Sequence, residues 1–407
     1  MPSFGAKRIM WKNWWMAGLA ALMIVSCEVE QISRRPDGNR EDIWTGPGIH
    51  AGGTSREVCY VTCFDYPEEY DWRMDPERGT VKCSLVVFAD GLPMMKVPVG
   101  DAYEVSPDPD MHRIIKGHLY TDYSTGTETV IKKDGKTVLR YVANEVICGM
   151  IVENDTIYTL AHLRGGDGFT FRMNGEIILE RPSGRTFRRL HRDGDQICFA
   201  FTEPVEAGEE SIERYYHCAD GVIVQAAVRD DVKKVWDIMS IRGDICYIAS
   251  LRGVEKPVLV QDGRLNALAM PDGAEPLAFK MIQGEDSLFM EGLYVPGDRS
   301  VTSALWLSPG KCVSFDEGMV ANSCIASGDG ICCAFNPSSK DGIIFRGGEV
   351  FQMPAGYAVM GTSCGAVIDG ILHMGLSSSE GEPPMVWKDG ELQPLDICGY
   401  ITSVSSY

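Results

Sequence analysis

Apolar residues along this chain come in short runs cut by polar turns, and stretches with the three-to-four spacing of helices are few. The sharpest cut is a pair ending in glycine between two apolar segments, as in VWKDGELQPL near the C-terminus. Asp-Gly and Asn-Gly between apolar runs are the strongest short-range hairpin signal, because both central residues of the turn need φ > 0. The same unit recurs upstream as FADGLPMMK, KKDGKTVLR, RMNGEIILE, CADGVIVQA, VQDGRLNAL, WLSPGKCVSF and FRGGEVFQM. Its glycines are Gly91, Gly135, Gly175, Gly221, Gly263, Gly310, Gly348 and Gly390, spaced by 44, 40, 46, 42, 47, 38 and 42 residues.

A second marker alternates with the first. It is a polar tip followed by a short apolar run: NDTIY at Asp155, GDQICF at Asp195, GDICY at Asp244, EDSLF at Asp286, GDGICC at Asp329 and IDGIL at Asp369, with KGHLY at Gly117 a weaker copy. A period of about 43 residues belongs to propellers, whose four-stranded blades take roughly 40–50 residues each. The two markers then assign strands. The polar tip joins inner strand A to strand B, and the Asp-Gly turn joins C to D. All tight turns share one face, and the long, unequal B–C and D–A connections share the other, where binding residues usually sit.

The fold class expected is all-β, a β-propeller of eight four-stranded blades over residues 56–407; a β-sandwich is the other architecture such repeats allow. EVCYVTCF near Cys59 looks like a strand B with no strand A before it, while ITSVSSY at the C-terminus sits where a strand A belongs. Closure of the first blade by the C-terminal strand follows, and it removes exposed sheet edges. A seven-bladed ring with one irregular unit is the alternative.

Residues 1–27 stand apart. Lys7, Arg8 and Lys12 precede an apolar segment from Trp14 to Val25, too short to span a bilayer comfortably, and Ile24-Val25-Ser26-Cys27 ends it. This resembles the lipobox of bacterial lipoproteins, which implies acylation of the Cys27 thiol and removal of the preceding peptide. A simple secretory signal with a chance cysteine is the alternative. Multiple acyl chains give stable anchoring where a single chain does not. Residues 28–55 are polar and carry Gly and Pro, so they read as a tether, with Trp44 and Ile49 available to dock.

Formal charge is −19, which disfavours nucleic acid and anionic lipid surfaces as partners. One segment runs the other way, ERPSGRTFRRLHRD, with Arg181, Arg185, Arg188, Arg189 and Arg192. Fourteen cysteines suggest disulfides, but most fall inside strand patterns, where free cysteine behaves as a small buried hydrophobe. Thirteen remain beyond Cys27, so at least one is free. His118 and His373 also lie within strand patterns and read as packed or hydrogen-bonded residues. No metal-ligand spacing, nucleophile elbow, P-loop or dinucleotide fingerprint occurs, and no catalytic set, metal or cofactor is expected.

The repeat resembles the WKDG/WKNG-type propeller units of secreted and lipid-anchored proteins from Bacteroidetes-type bacteria. That likeness implies a fold and a cell-envelope address; it carries no active site across. Binding of a protein or glycan ligand is expected on the face of long connections. Aromatic and acidic residues there, Tyr66, Tyr70, Trp72, Tyr103, Tyr294 and Glu382, are the candidate contacts. The alternative is a glycan hydrolase or lyase with acidic residues around the central funnel.

Overall fold

In the computed structural model the described residues are 44–45 and 57–406, except 67–82, 100–111, 125–126, 188–189, 208–209, 272, 285–286, 297–299, 329, 338–340 and 379. They form eight antiparallel sheets, and in all but the first the order in space follows order in the chain. Blades 2 to 7 begin at His112, Glu145, Arg185, Val232, Ala274 and Met319, and blade 8 at Tyr357. Blade 1 is split. Its strands B, C and D are Cys59–Asp65, Cys83–Ala89 and Leu92–Val99, and its strand A is Gly399–Ser406 from the far end of the chain. The protein is an eight-bladed β-propeller closed by its C-terminal strand. Its first blade also carries an extra edge strand, Trp44–Thr45, paired antiparallel through Trp44 with Lys96. Those two residues of the expected tether therefore belong to the sheet; the rest of 1–55, including Cys27, lies outside the described residues.

The turns have the backbone that the sequence demands. Asp90-Gly91, Asp134-Gly135, Asn174-Gly175, Asp220-Gly221, Asp262-Gly263 and Asp389-Gly390 hold positive φ at both residues. Ser308-Pro309-Gly310, which lacks Asp or Asn, turns differently: the ladder slips between Trp306 and Ser308, so one extra residue is taken up in a bulge.

Burial falls from the ring's interior outward. Strands B and C are buried on both faces, as in Cys83–Ala89 and Ile343–Arg346, whereas the outer strand Glu391–Pro394 is exposed throughout. Blades pack through apolar clusters built from these inner strands. Phe169 and Phe171 of blade 3 meet Phe199 and Phe201 of blade 4, and Trp306 of blade 6 shares a cluster with Cys246, Ile248 and Leu259 of blade 5. This explains the cysteines. All thirteen beyond Cys27 are free thiols, and most of those of the inner strands are packed in the apolar clusters as small hydrophobes.

The seam between blades 8 and 1 is closely knit. The Val404 amide donates to the Ser363 carbonyl at 2.9 Å, and the Ile401 amide to Ser377 Oγ at 3.0 Å. Gly375 permits this approach, since a Cβ there would lie 2.6 Å from a methyl of Ile401.

Candidate functional site

The turn face is held by one repeated device. In blade 3 the Asn174 amide donates to the Ile157 carbonyl at 2.8 Å, and Asn174 Oδ1 accepts from the Ile157 amide at 2.9 Å. Asp90 clasps Cys59 in this way, Asp134 clasps Leu119, Asp220 clasps Ile197 and Asp389 clasps Leu372. Leu119, Ile157, Ile197 and Leu372 are each the second residue of strand B, just after the A–B turn. The two sequence markers share a period because the C–D turn is bonded to the strand that the polar tip begins. The Asp220 side chain need only accept, which an amide oxygen does equally well. Asp220→Asn is expected to leave stability within about 0.5 kcal/mol. Asp220→Ala strands the Ile197 amide and places alanine at positive φ, for a loss of about 2–4 kcal/mol. Urea denaturation of the two variants checks this; equal losses would refute the clasp.

Blades 4 and 5 add a clasp of their own on that face. Asp193 accepts from the Arg242 amide at 2.6 Å, the Gly243 amide at 2.8 Å and the Ser240 hydroxyl. Burial pushes its carboxyl up, but these donors outweigh it and hold the group below its ordinary range. A small cleft between blades 2 and 3, lined by Tyr120, Lys133, Leu139, Asp155, Ile157 and Asn174, also opens beside the turns.

The opposite face carries the variable connections. The fourth B–C segment, TEPVEAGEESIE, is an extension of the sheet. Strands Gln196–Ala207 and Glu210–Ala219 stay in register out to Ala207 and Glu210, past the point where strand Val222–Gln225 stops. They form a two-stranded arm bearing Glu203, Glu206, Glu210 and Glu213.

The candidate contacts divide three ways. Glu382 is exposed, and its amide donates to Ser378 Oγ at 3.2 Å. Tyr66 and Tyr294 are core side chains, 6% and 4% exposed, which corrects their expected role as open contact surfaces. Tyr66 stacks on Tyr400 of the closing strand at 6.3 Å, and Tyr294 packs in the cluster around Trp306. Tyr70, Trp72 and Tyr103 lie outside the described residues.

Reactive groups elsewhere are quiet or singular. Burial pushes the Cys59, Cys198 and Cys246 thiols up to about 12, so they stay protonated and unreactive. His373 is buried with its pKa lowered, first by desolvation and then by Lys388, and His118 instead pairs with Asp134 at 2.7 Å. Glu291 of blade 6 has its carboxyl pushed up by burial, opposed by Lys280 directly across the ladder and by the Cys324 thiol of blade 7. Its polar neighbours are a lysine and a thiol, with no second carboxylate among the causes of its shift. No group of three His, Cys, Asp or Glu side chains among the described residues is arranged to hold a metal.

Sequence reasoning recorded the basic segment 181–192 without dividing it. The structure sorts it: Arg181 pairs with Glu203, and Arg192 with Glu153 at 2.7 Å. Arg185 is exposed at the start of strand A of blade 4, with its guanidinium 5.6 Å from the Phe187 ring.

No protein-family model matches the chain, and no curated protein matches it. Similar solved structures include the β-propeller domain of the Trilobed protease from Pyrococcus furiosus, at 12% identity over 74% of this chain and 95% of that one, with a TM-score of 0.45. An acylaminoacyl peptidase from Pyrococcus horikoshii matches at 12% identity over 74% of this chain and 51% of its own, with a TM-score of 0.42. BamB from Moraxella catarrhalis matches at 10% identity over 74% and 85%, with a TM-score of 0.36. The chain thus spans about half the length of the peptidase. The likeness is one of fold.

Proposed function

We propose that this protein is a lipid-anchored propeller of the bacterial cell envelope that binds a protein or glycan ligand through its face of B–C and D–A connections. The observation that carries this reading is the asymmetry of the two faces. One is closed by short turns whose polar groups are consumed in the clasps described above. The other bears the long connections and the projecting arm of blade 4, elements whose backbone the blade architecture does not require. Loops and extensions on a rigid scaffold are where proteins place recognition. The acidic balance favours neither nucleic acid nor an anionic lipid surface as the ligand.

The lipobox supplies the address, and the membrane is engaged through the acylated Cys27. Cys27→Ala is expected to release the protein from the membrane fraction or to leave an unprocessed precursor. Unchanged, mature, membrane-bound protein would count against the anchor. Binding itself is tested on glycan and peptide arrays with the detergent-solubilised chain, with Lys388→Ala as a turn-face control. Lys388 sits beside the last Asp-Gly turn, so a ligand lost through that substitution would put the site on the wrong face.

A further inference from the structure

Strand A of blade 5, Val232–Ile241, breaks the rule of two-residue alternation twice. Its ladder with Asp244–Leu251 skips Lys233 and skips Trp236, so two extra residues bulge from one ten-residue strand. Bulges re-aim side chains and cluster near functional sites. Here they stand at the end of the strand that opens on the loop face, because Val232 pairs with Leu251 at the far end of strand B.

At this end of blades 4 and 5, two cations are seated on rings. Lys234 Nζ lies 3.4 Å from the centroid of Trp236, whose indole nitrogen is fixed by Ser250 Oγ at 2.9 Å. Arg185, at the matching end of strand A in blade 4, lies over Phe187, which packs on Tyr215 at 5.8 Å. Cation–π contacts of this kind hold a charged head in one place without neutralising it. Lys233, Lys234 and Arg185 are all exposed, and none has a carboxylate partner among the described residues. The described acids nearby are already engaged: Glu203 with Arg181, Asp231 with Arg229, and Glu213 with the Tyr215 hydroxyl at 3.2 Å. Like charges held together are costly, and the Lys234 ammonium has its pKa lowered first by partial burial and then by Arg185. In a chain of charge −19, a basic spot with no carboxylate partner among the described residues is an exception that a bound anion would relieve.

We infer that Arg185 and Lys234 form the anion subsite of the loop face, and that its ligand is an acidic oligosaccharide carrying carboxylate or sulfate groups. The arm beside it decides between ligand classes. The described carboxylates Glu203 and Glu213 disfavour a polyanion without hydroxyl groups, such as oligoglutamate. A sugar chain brings an anion for the two cations and hydroxyl donors for the carboxylates. The inference rests on the loop-face binding reading and deepens it.

The experiment uses the full-length chain in detergent, titrated with oligogalacturonate, its methyl ester, a sulfated galactan oligosaccharide and oligoglutamate. The wild type is expected to bind at least one of the two anionic glycans. Arg185→Ala and Lys234→Ala are each expected to weaken that binding by about tenfold or more, in keeping with loss of a charge-assisted contact. Lys234→Arg retains it, and the methyl ester of oligogalacturonate does not bind. Both side chains are exposed, so melting temperatures should not move. Galacturonate and sulfate arms separate the two anion chemistries. Binding of oligoglutamate in preference to both glycans, equal binding of the ester, or no binding of either anionic glycan overturns the inference. A neutral glycan or protein found on the arrays and unaffected by the two substitutions would also overturn it, while leaving the loop-face reading in place.

Discussion

Deleting residues 399–407 is expected to abolish the cooperative unfolding transition of the domain. The strand removed pairs with Cys59–Asp65 along its whole length, from Cys59 with Ser406 to Asp65 with Gly399. It buries Tyr400, Ile401 and Val404, which at about 1.5–3 kcal/mol per side chain amounts to about 5–9 kcal/mol. That is comparable to the whole stability margin of about 5–15 kcal/mol typical of a folded domain. The loss would not stop at those side chains. Val61 and Cys63 would become an open inner edge, and blade 8 would lose the partner against which Gly375 is shaped. The expected result is a broad or absent melt, dye binding to exposed apolar surface and aggregation. A truncated chain that melts as the full one does would refute closure by this strand.

That closure was legible in the sequence because two independent signals converged on it: a strand B without a strand A near Cys59, and an unpartnered strand after the last turn. The blades were legible because Asp-Gly and Asn-Gly turns need positive φ at both residues, which few other pairs tolerate. The face that carries recognition was less legible, for a physical reason. Inner propeller strands are buried on both sides, so no alternation of polar and apolar residues says which way an aromatic points. Tyr66 and Tyr294 are near the loop face in sequence and in the core in space. The arm of blade 4 was hidden by its composition: TEPVEAGEESIE has a proline, a glycine and five glutamates, yet Pro204 takes its place in the ladder opposite Glu213. Lys234 and Trp236 were out of reach altogether. They stand two residues apart, as Arg185 and Phe187 do, and nothing in the local sequence says that either cation lies over its ring.

The other large effect is expected from Arg172→Met. Glu145 opens strand A of blade 3 with no exposed surface, and Arg172 of strand C is 7% exposed. Arg172 Nε lies 3.1 Å from Glu145 Oε1, and Nη2 lies 3.2 Å from Oε2. The Thr170 hydroxyl donates to Oε2 at 2.7 Å. The remaining guanidinium nitrogen donates to the Gly175 carbonyl at 2.9 Å, and the whole group lies 4.6 Å from the Tyr141 ring centroid. Desolvating two charges costs about as much as their attraction returns, so the pair adds little net stability over apolar residues of the same shape. Removing one partner is another matter. Methionine matches the stem of arginine but leaves the Glu145 carboxylate buried without its cation, at an expected loss of about 3–5 kcal/mol. Arg172→Met combined with Glu145→Gln removes the stranded charge and is expected to recover at least half of that loss. Urea midpoints for both single variants and the double variant, taken as a cycle, measure the coupling directly. A loss below about 1 kcal/mol for Arg172→Met, the range of exposed ion pairs, would mean that water reaches Glu145 and that the pair is not the buried clamp the packing describes.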